Sequence, residues 1–404
     1  MSSNVIDAKA PGPRLLVVDD NEDNRYTLIL RLEVEGYQEI SVADDGEAAI
    51  ELLRTQEFDL VLLDVMMPKL DGYQVLERLK AEGRLHNIPV IMISALNEIE
   101  SVVRCIELGA VDYLSKPFDP VLLKARVGAS LEKKRLRDEV RAHLARMEEE
   151  LESARQLQMG MVPTVFPSPS KQRPVEIFAM MEPAREVGGD LYDFFDGDDG
   201  TLCFLIGDVS GKGVPAALFM ARAKNLIRLI TRLARDADGA ALGPAEIIGM
   251  VNRELCQDNA GMMFVTLFFG MARLDTGELR FCNAGHNPPY RLNGSAVEAV
   301  TTGKGHPLGL RTTSTYETGG LRLAAGETLY LYTDGVTEAH NRTGELFAEQ
   351  RLEAVLREAA GNSTNIVVTA VGDAVRRFAD GAPQSDDITT MALRWLGDSV
   401  DLGR

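Results

Sequence analysis

Residues 14 to about 120 alternate two hydrophobic periods. Short continuous apolar runs stand at 14–18, 60–63, 90–93 and 111–114, with a weaker run at 39–43. Between them lie stretches of helical spacing, such as 24–35 and 75–82. Strand then helix, five times over, predicts a doubly wound parallel sheet, an α/β (βα)5 domain over 14–126. Ligands of such sheets sit beyond the carboxyl ends of the strands.

The pattern then changes. From Glu132 to Arg155, fourteen of twenty-four residues are charged, seven of each sign, so the stretch cannot be a buried element. Apolar or small residues recur at Val140, Leu144, Met147, Leu151 and Ala154, then Met161, with Gln158 breaking the seam. The 4,3,4,3 spacing predicts a helical coiled-coil linker over 127–162 and a homodimer through it. A single amphipathic helix lying on a neighbouring domain fits the same pattern. Proline-rich 163–174 ends the helix. Beyond it, apolar runs at 175–181, 202–206, 264–272, 329–332 and 388–393 mix with helical stretches at 214–235, 244–257, 351–359 and 365–378. That mixture predicts an α+β sandwich over 163–396.

A length of 404 residues fits two or three domains of roughly 100–200 residues each. Lys plus Arg is 43 and Asp plus Glu is 61, a net charge of −18. This acidity argues against binding nucleic acid or anionic lipid, both of which need basic surface. A DNA-binding output would also need a recognition helix with a basic face, and none is visible. No apolar run reaches 18 residues, which predicts no membrane span. The amino-terminal stretch lacks the charged-then-apolar pattern of a signal peptide. Cys105, Cys203, Cys256 and Cys282 form no CxxC pair, and none precedes an Arg by six positions. The expectation is therefore a cytoplasmic protein without disulfides or a cysteine-phosphatase loop.

In the first domain, Asp19 and Asp20 follow one apolar run and Asp64 follows another, so all three carboxylates emerge at one sheet edge. Clustered carboxylates repel one another unless a cation sits among them, and a hard ion such as Mg²⁺ suits oxygen ligands. A carboxylate there can act as a nucleophile toward phosphorus. Ser94 ends the fourth run and can hydrogen-bond phosphoryl oxygens. Lys116 ends the fifth and offers them a positive charge, and Pro117 suits a cis turn that aims it inward. This set resembles the receiver domain of two-component response regulators. The resemblance implies Asp64 as phosphoacceptor, Asp19 and Asp20 as the acid pair, Ser94 with Tyr113 as the switch pair, and a histidine kinase or phosphotransfer protein upstream.

The second domain carries Asp190 in EVGGDLYDFF, Asp208 in FLIGDVSGKG after an apolar strand, Asp334 in YLYTDGVTEA after another, and Asp386-Asp387 in SDDITTMAL before a third. Acidic oxygens without neighbouring His or Cys favour Mg²⁺ or Mn²⁺ over zinc. Two such ions can activate water and polarise a phosphoryl group. Three decoys fail on detail. GGD at 188–190 is followed by Leu-Tyr rather than the Glu-Phe of diguanylate cyclases. GDVSGKG has too short a spacing for a P-loop and Gly213 where Ser or Thr is needed. The 303–305 stretch lacks a third glycine of a dinucleotide fingerprint.

The series GGD, GDVSGKG, AGHNPP, GHPLG, YTDGVTEA and DDIT resembles the PP2C-type phosphatases of the bacterial SpoIIE and RsbU branch, and SARQLQMGMVP resembles that branch's linker. The resemblance implies an αββα sandwich and two Mn²⁺ or Mg²⁺ ions held by Asp190, Asp208, the Val209 carbonyl, Asp334 and Asp386. It further implies Asp208 and Asp334 as the catalytic acids. Asp387 stands where other PP2C enzymes carry Asn, and His286 is either structural or a direct acid. It also implies a serine/threonine protein phosphatase acting on a phosphorylated STAS-domain anti-sigma-factor antagonist, controlled by Asp64. The competing class is a non-enzymatic adaptor that binds a partner through its C-terminal domain.

Overall fold

A computed structural model describes residues 12–95, 99–197, 200–233, 235 and 239–397. The chain divides after Met147 into two compact units.

In the first unit, strands β1 (Arg14–Val18), β2 (Glu39–Ala43), β3 (Leu60–Asp64), β4 (Val90–Ser94) and β5 (Asp112–Ser115) form one parallel sheet in the order β2-β1-β3-β4-β5. Helices α1 (Glu22–Val34), α2 (Gly46–Thr55), α3 (Gly72–Ala81) and α4 (Ile99–Leu108) follow the first four strands, and α5 (Pro120–Met159) follows the fifth. Helix starts are written in the chain. Asn21 caps α1 by accepting the Asn24 N–H, Asp45 caps α2, and Asp71 with Gln74 closes a capping box on α3. The central strands β3 and β4 are buried throughout, since helices cover both sheet faces. One core packs Val18, Leu63 and Met92 against Ile50, Leu76 and Cys105. The other packs Val17, Leu62 and Ile93 against Leu28, Leu123 and Val127.

Helix α5 runs unbroken through the boundary expected at 126/127. Its stretch after 127 still grips this unit: Lys134 pairs with Asp59 at 2.9 Å and Arg141 donates to Asn87 at 2.7 Å. The helix stops at Met159, so Met161 stands beyond it and does not extend the seam.

The second unit holds two sheets. Strands β6 (Val175–Glu182), β7 (Leu191–Asp196) and β8 (Thr201–Val209) precede helices α6 (Val214–Leu233) and α7 (Pro244–Cys256). Strands β9 (Val265–Arg273), β10 (Glu278–Ala284), β11 (Tyr290–Asn293), β12 (Ala296–Ala299), β13 (Lys304–Gly305), β14 (Gly319–Arg322) and β15 (Thr328–Tyr332) follow. The chain closes with α8 (Asp334–Thr337), α9 (Ala348–Ala359), α10 (Thr364–Ala379) and β16 (Ile388–Trp395). One sheet runs β13-β10-β9-β8-β7 with β14 on β10, the other β12-β11-β15-β16-β6. Between them lies an apolar core built on stacked Phe204, Phe268 and Phe281 against Leu329, Leu331 and Met391. Helices α6 and α7 cover the outer face of the first sheet through Phe219, Met220 and Ile248. Helices α9 and α10 cover the second through Leu352, Leu356 and Val371. The layers are therefore helix, sheet, sheet, helix. The short strands β10 to β14 and β7 were not expected from the sequence. In LYDFFD of β7 two acids interrupt the apolar residues, β10 opens on charged Glu278 and Arg280, and β11 to β14 have four residues or fewer, too few to show a period.

Candidate functional sites

In the first unit, Asp19 and Asp20 follow β1, and Asp64 is the last residue of β3 rather than the residue after it. Neighbouring parallel strands end together, so the three carboxylates meet, each with an oxygen within 4.8 Å of the others. Asp19 and Asp64 are buried and Asp20 is exposed. Lys116, just past β5, reaches both buried acids, its Nζ 2.7 Å from Asp19 Oδ2 and 2.9 Å from Asp64 Oδ2. The Lys116–Pro117 bond is cis, as expected. Burial raises the Asp64 carboxyl above its ordinary value, Lys116 opposes this, and Asp19 adds to it. Burial alone would lower Lys116, but its hydrogen bonds to Asp19 and Asp64 outweigh that and raise it. Three carboxylates and one ammonium leave a residual negative charge in an all-oxygen donor set, which fits a hard divalent cation. Ser94 ends β4 and is buried, and it hydrogen-bonds Tyr113 of β5.

In the second unit, Asp208 lies inside β8, not after it. Asp190 directly precedes β7, Asp334 opens α8 after β15, and Asp386-Asp387 precede β16. Asp190 is buried, and its carboxyl is raised well above the ordinary range by burial, then by the charges of Asp208 and Asp387. Asp208 is pushed up to about 7 by burial, with Asp334, Asp386 and Asp387 adding. Asp334 is raised by burial, Glu338 and Asp386. These acids face one another with little cationic relief. Lys212, which was weighed only as part of a decoy motif, pairs with Asp386 at 2.9 Å and donates to the Ser385 carbonyl at 2.6 Å. The spacing is wider than in the first unit: among the described residues, only Asp19, Asp20 and Asp64 bring three acidic oxygens within 4.8 Å. A Cβ on Gly189 would stand 2.7 Å from the Val209 carbonyl oxygen and 3.4 Å from Asp208 Oδ1, so only glycine lets the two segments pass this closely. An all-oxygen set whose members repel one another fits hard cations.

Other residues position these acids. Thr333 donates its hydroxyl to Asp190 Oδ2 at 2.8 Å. Asp387 faces backbone, accepting the Ala184 and Gly189 N–H groups at 2.8 Å each. Gln158 pairs with Gly188. Thr333 was readable beside Asp334. The role of Gln158 was not, because only the fold brings residue 188 to it. His286 is buried, with Nδ1 2.9 Å from Thr266 Oγ1, and its backbone N–H donates to Asn283 Oδ1. Burial pushes its imidazole down to about 4, so at neutral pH it is uncharged and a poor proton donor. That favours the structural role of the two considered.

Residues 15–128 match the response regulator receiver domain family. Residues 198–396 match the family described as Stage II sporulation protein E (SpoIIE), a segment that begins after Asp190. The chain is 34% identical over 264 residues to Protein IcfG of Synechocystis sp., covering 60% of this chain and 41% of IcfG. It is 45% identical over 117 residues to the probable transcriptional regulator ycf27 of Cyanidium caldarium, covering 29% of this chain and 45% of that protein. The chain thus spans less than half the length of either relative. The SiaA-PP2C domain of Pseudomonas aeruginosa superposes with a TM-score of 0.53 at 23% identity, over 63% of this chain and 98% of that domain, a likeness of fold. No described helix is long and apolar enough to cross a membrane.

Proposed function

The chain is an N-terminal receiver domain joined to a C-terminal SpoIIE-like phosphatase domain of the PP2C type, and from that premise we propose a two-component response regulator whose output is metal-dependent dephosphorylation of a protein. The functional division is receiver 14–126, helical linker 127–162 and phosphatase 163–396, working in the cytoplasm.

In the receiver, Asp64 attacks the phosphorus of a donor presented by a histidine kinase or phosphotransfer protein. An aspartyl phosphate forms as the donor's bond to phosphorus breaks. Asp19, Asp20 and Asp64 would hold the Mg²⁺ that supports this step. Lys116 exchanges its contact with Asp64 for the new phosphoryl oxygens, and Ser94 turns its hydroxyl toward them, which releases Tyr113.

In the phosphatase, Asp190, Asp208, the Val209 carbonyl, Asp334 and Asp386 hold two Mn²⁺ or Mg²⁺ ions. When bound, these ions supply the charge that polarises a phosphoryl group and acidifies water. Asp387 and Thr333 keep Asp190 in place, and Lys212 holds Asp386. The substrate is phosphoserine or phosphothreonine on a STAS-domain partner.

The observation that supports this reading best is the burial of Asp190, Asp208 and Asp334 together, with Asp386 beside them, which with their mutual repulsion raises the first three above ordinary carboxylates. Stability alone gives no reason to collect so much like charge. The test is hydrolysis of p-nitrophenyl phosphate and of a phosphorylated STAS protein with Mn²⁺, with and without chelator. Hydrolysis that survives the chelator, or that Asp208→Asn leaves intact, removes the metal-dependent reading. Absence of any hydrolysis leaves the adaptor.

Linker pairing belongs to the same proposal. Val140, Leu144 and Met147 are 57%, 54% and 58% exposed along one helix edge, a seam that a second copy would cover.

A further inference from the structure

Gln158 sits one residue from the end of α5 and is buried, only 4% exposed. The preceding stretch of this helix is dominated by solvated charge, so burial of an amide here needs a reason. Both of its polar atoms are used on one residue. Nε2 donates to the Gly188 carbonyl at 2.7 Å, and the Gly188 N–H donates to Oε1 at 3.0 Å. The carboxamide thus pairs with Gly188 as a neighbouring strand would.

Gly188 is held from its other side as well. A Cβ there would lie 2.0 Å from Asp387 Oδ2, so only glycine allows the approach. Asp387 takes the next N–H, that of Gly189, and Thr333 takes the carboxylate after that, Asp190 Oδ2. Three consecutive residues are therefore fixed by three different elements, and the first fastening comes from α5. Asp190 and Asp208 repel each other when both are charged. Without such fastening the loop would relax outward and separate them.

We infer that Gln158 is a positioning residue through which α5 sets the metal-binding geometry of Asp190. This rests on the reading of Asp190 and Asp208 as metal-binding acids. The paired hydrogen bonds make the contact sensitive to register. One residue of helix slip is about 1.5 Å of rise and about 100° of rotation, more than either bond tolerates. A change in how α5 pairs would then reach Asp190 through this amide.

The test uses the full chain carrying Asp20→Asn and Asp64→Asn, which neutralises two of the three receiver carboxylates, with free Mn²⁺ counted by electron paramagnetic resonance. Gln158→Met keeps length and shape and loses both hydrogen bonds. It should raise the Mn²⁺ dissociation constant roughly 10–100-fold, the range seen when a partner that orients a ligand is lost. At saturating Mn²⁺, kcat for p-nitrophenyl phosphate should be retained. Gln158→Glu keeps the acceptor for the Gly188 N–H and should fall between. A folded Gln158→Met with unchanged Mn²⁺ affinity overturns the inference. If that variant does not fold, Gln158→Glu decides, and wild-type affinity there overturns it equally. Asp208→Asn is the separate control: if it binds Mn²⁺ like the parent, the metal-site reading itself fails.

Discussion

The carboxylate of Asp387 accepts the backbone N–H of Gly189 at 2.8 Å, and its other oxygen accepts that of Ala184 at the same distance. One side chain thus closes both ends of the loop that leads to Asp190. Asp387→Ala would leave the Gly189 N–H buried without a partner, at about 1–3 kcal/mol, and the partly buried Ala184 N–H without one at a lower cost. Urea unfolding in excess EDTA should show a loss of that order in the C-terminal domain, with the chelator excluding metal loss as the cause. Asp387→Asn keeps one acceptor and should lose less. An unchanged midpoint in Asp387→Ala would mean the loop is held elsewhere.

The acid cluster makes metal binding depend on pH. Burial and its neighbours push Asp208 from an ordinary value of 3.8 up to about 7. The raised value means the metal-free folded domain binds a proton that the unfolded chain has released. That contribution to stability is present at low pH and lost as pH rises from about 4 to about 7. A cation must displace the protons held by these acids, so Mn²⁺ affinity should climb as pH rises through about 7. Calorimetry in buffers of different ionisation enthalpy should record proton release below that point. Affinity that stays flat between pH 5.5 and 7.5, with those limits taken as roughly bracketing the transition, contradicts the arrangement.

Lys116 supplies the ammonium between Asp19 and Asp64. Lys116→Ala leaves two buried carboxylates without it, and breaking a buried pair costs about 3–5 kcal/mol when burial is complete. The Lys116 side chain is 17% exposed, so the loss should lie toward the lower end. Mg²⁺ can take over part of the neutralisation. It should therefore raise the melting temperature of Lys116→Ala more than that of the wild type, and equal shifts would count against the shared site. Beryllofluoride with Mg²⁺ should modify the wild type and not Asp64→Ala.

How far the sequence could be read follows from which contacts are local. Asp19, Asp64, Ser94 and Lys116 stand at the ends of apolar runs, and parallel strands bring such ends to one edge, so spacing alone predicts their meeting. Asp190, Asp208, Asp334 and Asp386 were readable as a motif series, but not their placement. Asp208 lies within β8, because the strand continues to Val209 past the polar residue. Asp387 and Gln158 are different. Each is defined by a backbone group distant in sequence, Gly189 for one and Gly188 for the other. A polar residue at an apolar position was the visible sign of Gln158, and nothing local said what it would pair with.

The last prediction concerns the phase of α5. On the receiver side the helix is fastened by Lys134 to Asp59 and by Arg141 to Asn87, and in the second unit Gln158 fastens its end to Gly188. Deletions between residues 142 and 154 keep all three contacts available. Each residue advances the helix by about 100°, so removing seven leaves the distal end within about 20° of its original direction, and removing five turns it by about 140°. Removing seven takes out two of Leu144, Met147, Leu151 and Ala154 but leaves the remaining seam residues in phase with Val140, whereas removing five puts them out of phase. If paired helices carry the receiver's state, the seven-residue deletion should keep the response of phosphatase activity to beryllofluoride and the five-residue deletion should lose or invert it. Basal hydrolysis at saturating Mn²⁺ should survive in both, since no metal-binding acid is touched. Equal responses from the two would make the helix a tether. Sedimentation of the wild type as a monomer with and without beryllofluoride would remove the pairing, and the exposed seam would then need a different occupant.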